Sequence, residues 1–339
     1  KEALRTGKYR INFFQQKKEL IHMSQKTYRV RNWKEYNQSL VHRGSITLWM
    51  SEDVLTQWSS SFKTGKRGRP QAYPDAVILC ALHLKAFYHL PFRATEGFLG
   101  SLIKQLGLNL KIPDYTTLSI RQKKLAVPLP QKRAHGGPLN LVIDSTGLKV
   151  FGEGEWKVRQ HGYVNKRLWR KLHLAINHET QMIEACELTG LSVQDCEGFC
   201  TLIDAIEGPI GDVMGDGAYD RFRCYEKIEE RKGFGIFPPQ HNAVTSKERT
   251  ANRKKASPEA VSKRDEVIKR VRILGLKEWK KETGYHRRSL AETAMFRVKT
   301  MLGKAVRCRS VENQAIEVRI WCSILNKCTL LGLPKTIAI

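Results

Sequence analysis

The sequence predicts an α/β catalytic domain preceded by a helical N-terminal region. Three observations lead there. Residues 74–124 read as three short helices. After the break Gln131-Lys132-Arg133-Ala134-His135-Gly136-Gly137-Pro138 the pattern turns to short apolar strands. The chain then closes on two helices, about Ser289 to Leu302 and Val311 to Leu331. At 339 residues it suits two domains, or one large domain with an appendage.

The elements follow in order. Met23-Ser24-Gln25-Lys26 reads as a natural start, so residues 1–22 are expected to be upstream translation or a disordered tail. Residues 24–62 are mixed, with Trp33, Trp49 and Trp58 as packing anchors. A basic, Gly/Pro-punctuated linker follows at about 63–72. Its Arg67-Gly68-Arg69-Pro70 core is similar to an AT-hook, which lays arginines such as Arg67 and Arg69 into a narrow minor groove. A solvated basic linker explains it equally well. Pro74-Asp75 opens the first helix, the second covers about Arg93 to Gln105, and Asp114 is the N-cap candidate of the third. That third helix carries Thr, Ser and Gln with Arg121 and Lys124, side chains able to reach phosphates or base edges. Residues 23–133 therefore suit a helix-turn-helix-like DNA-binding region, the alternative being a helical subdomain with a solvated last helix.

Residues 134–339 carry the strands. Leu139 to Ile143 is an apolar run ending in Asp144. Leu172–Ile176 and Met182–Leu188 flank Asn177-His178-Glu179-Thr180, a hairpin signature. A helix is expected over Gln194–Ala205, a strand at Val213-Met214 and another at Gly233–Phe237. Residues 246–272 are basic and read as helical in their second half.

Composition bounds the partners. Lys and Arg total 59 against 33 Asp and Glu, a net charge of +26. Such a surplus repels itself unless a polyanion neutralises it, and nucleic acid is the usual one. No stretch is long and apolar enough to span a bilayer, and no signal peptide is visible. The eight Cys form no CxxC pair and read as small buried hydrophobes in a reducing cytoplasm.

Carboxylates carry the chemistry. Asp144 ends an apolar strand, and Asp216 sits in Met214-Gly215-Asp216-Gly217-Ala218-Tyr219, where glycines allow close approach. Two such aspartates side by side repel unless a cation neutralises them, and hard divalent ions with oxygen ligands do this. Arg288, Glu292 and Lys299 lie at +3, +7 and +14 from Tyr285. On one continuous helix they project at about −60°, −20° and −40°, a narrow stripe. A solvated charged face would give the same spacing.

The run Tyr285-x2-Arg288-x3-Glu292-x6-Lys299 resembles the signature of bacterial insertion-sequence DDE transposases of the four/five superfamily. Ile143-Asp144-Ser145-Thr146 and Gly215-Asp216-Gly217-Ala218-Tyr219-Asp220 resemble its first and second acidic motifs. Arg43-Gly44-Ser45, the basic linker and Leu90–Phe98 are similar to the N-terminal region of the insertion-sequence-five branch. The resemblance implies an RNase H-like catalytic domain, a mixed sheet with helices on both sides and an insertion at about 221–284. Asp144 would lie on the first strand, Asp216 just after the fourth and Glu292 on a later helix. It implies two Mg²⁺ ions, replaceable by Mn²⁺, about 3.5–4 Å apart on Asp144, Asp216 and Glu292. It further implies contacts of Tyr285, Arg288 and Lys299 to DNA near the scissile phosphate. The expected partners are double-stranded DNA, both terminal inverted repeats and target, and a second protomer in the end complex. The expected location is the bacterial cytoplasm, at the nucleoid. An RNase H-like nuclease without strand transfer, or a catalytically inactive DNA binder, are the competing readings.

Overall fold

A computed structural model describes residues 28–59, 72–132, 137–151, 169–248 and 257–338. Residues 1–22, most of the basic linker with Arg67 and Arg69, and most of Arg159–Arg170 lie outside the described residues. The described residues divide into two compact units, one within residues 45–330 and a smaller one made of residues 28–44 with 331–338.

The larger unit is built on a mixed sheet. Its strands are β1 (Leu139–Val150), β2 (Trp169–Asn177), β3 (Ile183–Gly190), β4 (Ile210–Met214), β5 (Phe234–Ile236) and β6 (Ala305–Val306). They stand in the order β3-β2-β1-β4-β5, with β6 pairing β1. β1 to β3 form an antiparallel meander, whereas β4 and β6 run parallel to β1. The β2–β3 turn forms as its sequence suggested. Asn177 Oδ1 accepts the amides of Glu179 at 2.9 Å and Thr180 at 3.2 Å, which is the turn chemistry of an Asx motif.

The helices of this unit are α1 (Ile46–Trp49), α2 (Glu52–Ser59), α3 (Asp75–Phe87), α4 (Phe92–Gln105), α5 (Tyr115–Gln122), α6 (Asp195–Asp204), α7 (Phe222–Glu229), α8 (Pro258–Leu274), α9 (Leu276–Glu282), α10 (Ser289–Met301) and α11 (Val311–Leu331). Alternation along β1 sorts them to two faces. Val142 and Leu148 belong to a core shared with α10 and α11, and Leu141 and Ile143 to a second core with α6 and α7. This is the RNase H-like arrangement that the sequence led us to expect.

The first core extends into the N-terminal helices. Val77, Ile78 and Leu82 of α3, Leu99 of α4 and Leu118 of α5 share it with Ile324 and Leu325 of α11. α5 opens as expected, with Asp114 accepting the amide of Thr117 at 2.8 Å. It stops at Gln122, two residues short of Lys124. Residues 221–284 are woven into the fold: β5 pairs with β4, and α7 and α8 cover the second core.

In the smaller unit, Tyr28–Val30 pairs antiparallel with Thr336–Ala338. Asn32 fixes this register, donating to Leu333 O at 3.1 Å and accepting the Lys335 amide at 2.7 Å. No helix of the described residues is long and apolar enough to cross a membrane.

Candidate active site

The site follows from unequal strand lengths. β1 has twelve residues and β4 has five. They pair in parallel through Leu141 with Val213 and Val142 with Met214, and there β4 ends. β1 runs on to Val150, held by β2 on its other side. Asp144 is therefore a mid-strand residue. The expectation that it terminates a strand is corrected, because its β2 partner Leu174 continues the ladder beyond it. On the β4 side, Asp144 lies two residues past the last pair, and Asp216 also lies two residues past it. Parallel register thus sets the two aspartates at matching positions past the end of β4. β6 joins the same edge of β1 only at Lys149 and Val150.

Asp144 and Thr146 share the parity of Val142 and Leu148, so they face α10. Asp144 Oδ1 accepts the Ser145 amide at 2.8 Å, and Oδ2 accepts Arg288 Nη1 at 3.2 Å. Arg288 Nη2 also donates to Glu292 Oε1. Lys299 Nζ donates to Thr146 Oγ1 at 2.6 Å. Asp216 Oδ1 accepts the Ala218 amide at 2.9 Å and caps a 3₁₀ turn, Gly217–Tyr219.

The proposed stripe forms, though by another geometry. Tyr285–Arg288 is a 3₁₀ turn entered through Gly284 at φ +64°, and α10 begins at Ser289. In a 3₁₀ turn residues i and i+3 eclipse, so Tyr285 and Arg288 stay on one side. Arg288 and Glu292 then meet at the i,i+4 spacing. Tyr285 is 8% exposed, and its ring packs on Trp279 with centroids 5.9 Å apart.

The charges of the three carboxylates act on one another and on Tyr285. Burial raises the Asp144 pKa above the usual carboxylate value; the Ser145 amide and Arg288 oppose this, and the charges of Asp216 and Glu292 add to it. The Tyr285 hydroxyl is pushed up to about 12, first by burial, with Asp216, Asp144 and Glu292 all raising it against Arg288. Burial, and then Lys304, lowers Lys299.

These oxygens fit a hard divalent cation in kind: all are carboxylate, and the crowding is of a type that a cation relieves. Their present pose differs. Among the described residues no three His, Cys, Asp or Glu stand close enough to hold an ion. Arg288 bridges Asp144 and Glu292 and supplies the positive charge there.

Other expected contacts fall elsewhere. Arg121 turns inward, with Nη1 on Tyr73 O at 3.0 Å and Nη2 on Asp75. Lys124 is exposed in the turn after α5. Two supporting residues had no assigned role in the sequence. Thr146 enters only as the last residue of the first acidic motif, and nothing in the sequence singles out Trp279. Their roles emerge only when α10 crosses β1 and α9 leads into the 3₁₀ turn.

Two family models, each described as a transposase DDE domain, match this chain. One covers residues 41–153 and the other residues 135–327. The second spans more than half the chain and contains Asp144, Asp216 and the whole Tyr285–Lys299 signature.

Proposed function

The chain belongs to the DDE transposase family, and on that premise we propose that it binds the terminal inverted repeats of an insertion sequence, cleaves DNA at the element ends by metal-dependent hydrolysis and joins the 3′-hydroxyl ends to target DNA. The observation that carries this reading is the register of β1 and β4, which sets Asp144 and Asp216 at matching positions beyond their last pair. We place the chain in the insertion-sequence-five branch on its N-terminal likeness, and at the nucleoid on its charge of +26.

Asp144, Asp216 and Glu292 would hold the divalent ions, Mg²⁺ by preference and two in number. Bound ions would neutralise charge on the phosphate and lower the pKa of an attacking water. The protein groups do the rest. β1 and the 3₁₀ turn fix the two aspartates, and α10 brings Glu292 to the crevice. With ions held there, Arg288 would be released from the carboxylates it now bridges and free to bind the DNA phosphate. Lys299, now on Thr146, would bind phosphate from the next turns of α10. Tyr285 forms the buried wall behind Arg288. The free 3′-hydroxyl released by cleavage would attack a target phosphodiester at the same carboxylates, expelling the target strand's 3′-oxygen as a new 3′-hydroxyl, so no covalent enzyme intermediate is required. Two ends must meet, and a two-fold dimer is the simplest assembly that joins them. Lys124, with Arg67 and Arg69 of the linker, would contribute phosphate contacts, each lost contact making the salt dependence shallower. Arg121 would contribute only after leaving Asp75.

The test uses DNA carrying the element's inverted repeats with Mg²⁺. Asp144→Asn, Asp216→Asn and Glu292→Gln should each abolish cleavage and leave end binding intact. A variant that nicks end DNA at the normal rate removes its residue from the triad. Cleavage without joining of the 3′ ends would favour a nuclease instead.

A further inference from the structure

Asp216 has little support of its own. It stands past the end of β4, and its side chain accepts the Ala218 amide inside the same turn. That turn is gripped from both ends. At its start, a Cβ at Gly215 would lie 2.6 Å from the Tyr219 ring, so only glycine lets Tyr219 close over the chain there. At its end is Asp220, whose side chain is 1% exposed.

Arg264 of α8 meets Asp220 as a fork. Nε reaches Oδ1 at 2.8 Å and Nη2 reaches Oδ2 at 2.8 Å. Nη1 donates to Val244 O at 3.3 Å, and the guanidinium lies over the Phe222 ring, 5.1 Å from its centroid. The Arg264 side chain is 6% exposed. A bidentate pair fixes both planes and so sets orientation as well as distance. α8 is itself tied down. Lys263 Nζ donates to Gly233 O at 2.9 Å and pairs with Glu229. The Ser257 amide donates to Glu226 at 2.9 Å, and Asp265 accepts the Ser246 amide at 2.9 Å.

A buried ion pair is a poor source of stability, since desolvation offsets its attraction and an apolar replacement is often neutral or better. Placement is what this pair supplies. We infer that Arg264 is a positioning residue for Asp216, acting through Asp220: α8 holds the turn that aims one metal ligand. The inference rests on the reading of Asp216 as a ligand.

The experiment measures Mn²⁺ binding to the full chain without DNA by calorimetry, and the Mg²⁺ concentration for half-maximal end cleavage. Arg264→Met and Asp220→Asn should each weaken Mn²⁺ binding and raise the Mg²⁺ requirement about tenfold, the low end of what losing a group bonded directly to a ligand costs, because they act on Asp216 only through the turn. End-DNA affinity should stay within about twofold, because its phosphate contacts lie elsewhere. Arg231→Met is the control. Arg231 caps the end of α6, donating to Ile203 O at 3.0 Å and Ile206 O at 2.8 Å, and has no link to the turn. It should reduce stability and leave both metal readings unchanged. If Arg264→Met does not fold, Asp220→Asn carries the same test, since it keeps the side-chain volume. Unchanged metal readings in Asp220→Asn and Arg264→Met would make the pair merely structural and overturn the inference. Undiminished Mn²⁺ binding in Asp216→Asn would instead remove the premise, a result distinguishable from the first.

Discussion

Arg288 supplies the positive charge between two of the proposed metal ligands, so its removal should change how the fold responds to metal. The guanidinium touches Asp144 at 3.2 Å and also Glu292, with side-chain exposures of 26% for Arg288, 16% for Asp144 and 57% for Glu292. The bond to exposed Glu292 is screened and contributes about 0.5 kcal/mol. The bond to half-buried Asp144 is charge-assisted, and losing it strands a carboxylate, at about 1.5 kcal/mol. Arg288→Ala should therefore cost about 2 kcal/mol in EDTA at pH 7. The Asp144 pKa is already raised, and removing Arg288 raises it further. A raised carboxylate contributes stability that is complete below its unfolded pKa and is lost as pH rises through the folded value. The deficit should thus be largest at neutral pH and shrink towards the ordinary Asp value of about 3.9. On the proposed reading of these carboxylates as metal ligands, Mg²⁺ would have to displace Arg288 in the native protein and would not in the variant. Ion at ten times its Kd stabilises by about 1.4 kcal/mol, and each tenfold gain in affinity adds as much again. Urea denaturation with EDTA and with 10 mM Mg²⁺ should show the variant recovering more than half of its deficit. Cleavage should still fall heavily, because phosphate positioning is lost. An equal Mg²⁺ response in both proteins would refute the displacement.

Three further outcomes are expected. Burial lowers His83 to about 3 and His173 to about 4, so both fold neutral. Stability from such groups is present above the unfolded value near 6.5 and is lost as pH falls below it, by about 1.4 kcal/mol per pH unit for each His. Urea curves at pH 7 and pH 5 should differ accordingly, and His83→Gln should remove part of the slope; coincident curves would contradict it. Asn326 on α11 accepts the Ile183 amide at 2.8 Å and donates to Ile183 O at 2.8 Å, beside the irregularity where β3 meets β2. Asn326→Ala strands both buried groups and should cost about 2–4 kcal/mol, read as a lower denaturation midpoint with unchanged slope. Lys299→Ala should lower cleavage by at least tenfold, whereas Arg297→Ala, whose side chain turns to Thr329 at 3.0 Å, should change it far less. Equal losses would mean that only total charge matters.

Local chemistry wrote what could be read in advance. Asp114 capping Thr117, the Asn177 turn and the apolar periods of α3 and α11 are decided within a few residues, and each forms where the pattern placed it. What was not legible depends on partners distant in sequence. The N-terminal helices read as a separate module, because periodicity shows that a face is apolar and not what covers it. Here Leu118 and Ile324 share one core. Arg264 sits in a basic helix among many cations, and only the fold reveals that it meets Asp220. The Tyr285–Arg288 segment has helical spacing either way, so 3₁₀ and α geometry were indistinguishable from sequence.

The placement of the two aspartates shows how global register finishes what local sequence begins. An apolar run ending in Asp144 looks like a strand that stops, since a charge is costly to bury. The strand continues because β2 supplies a partner through Lys149, while β4 does not. β4 stops at Met214, where Gly215 leaves room for the Tyr219 ring and Asp216 turns to cap Gly217–Tyr219. Were β4 two residues longer in the same register, Asp216 would pair opposite Asp144 and close the edge of the sheet. The crevice is therefore created by the early end of one strand beside a longer one. Both carboxylates owe their access to that mismatch, and the turn after β4 is the part of the fold on which the geometry of the pair depends.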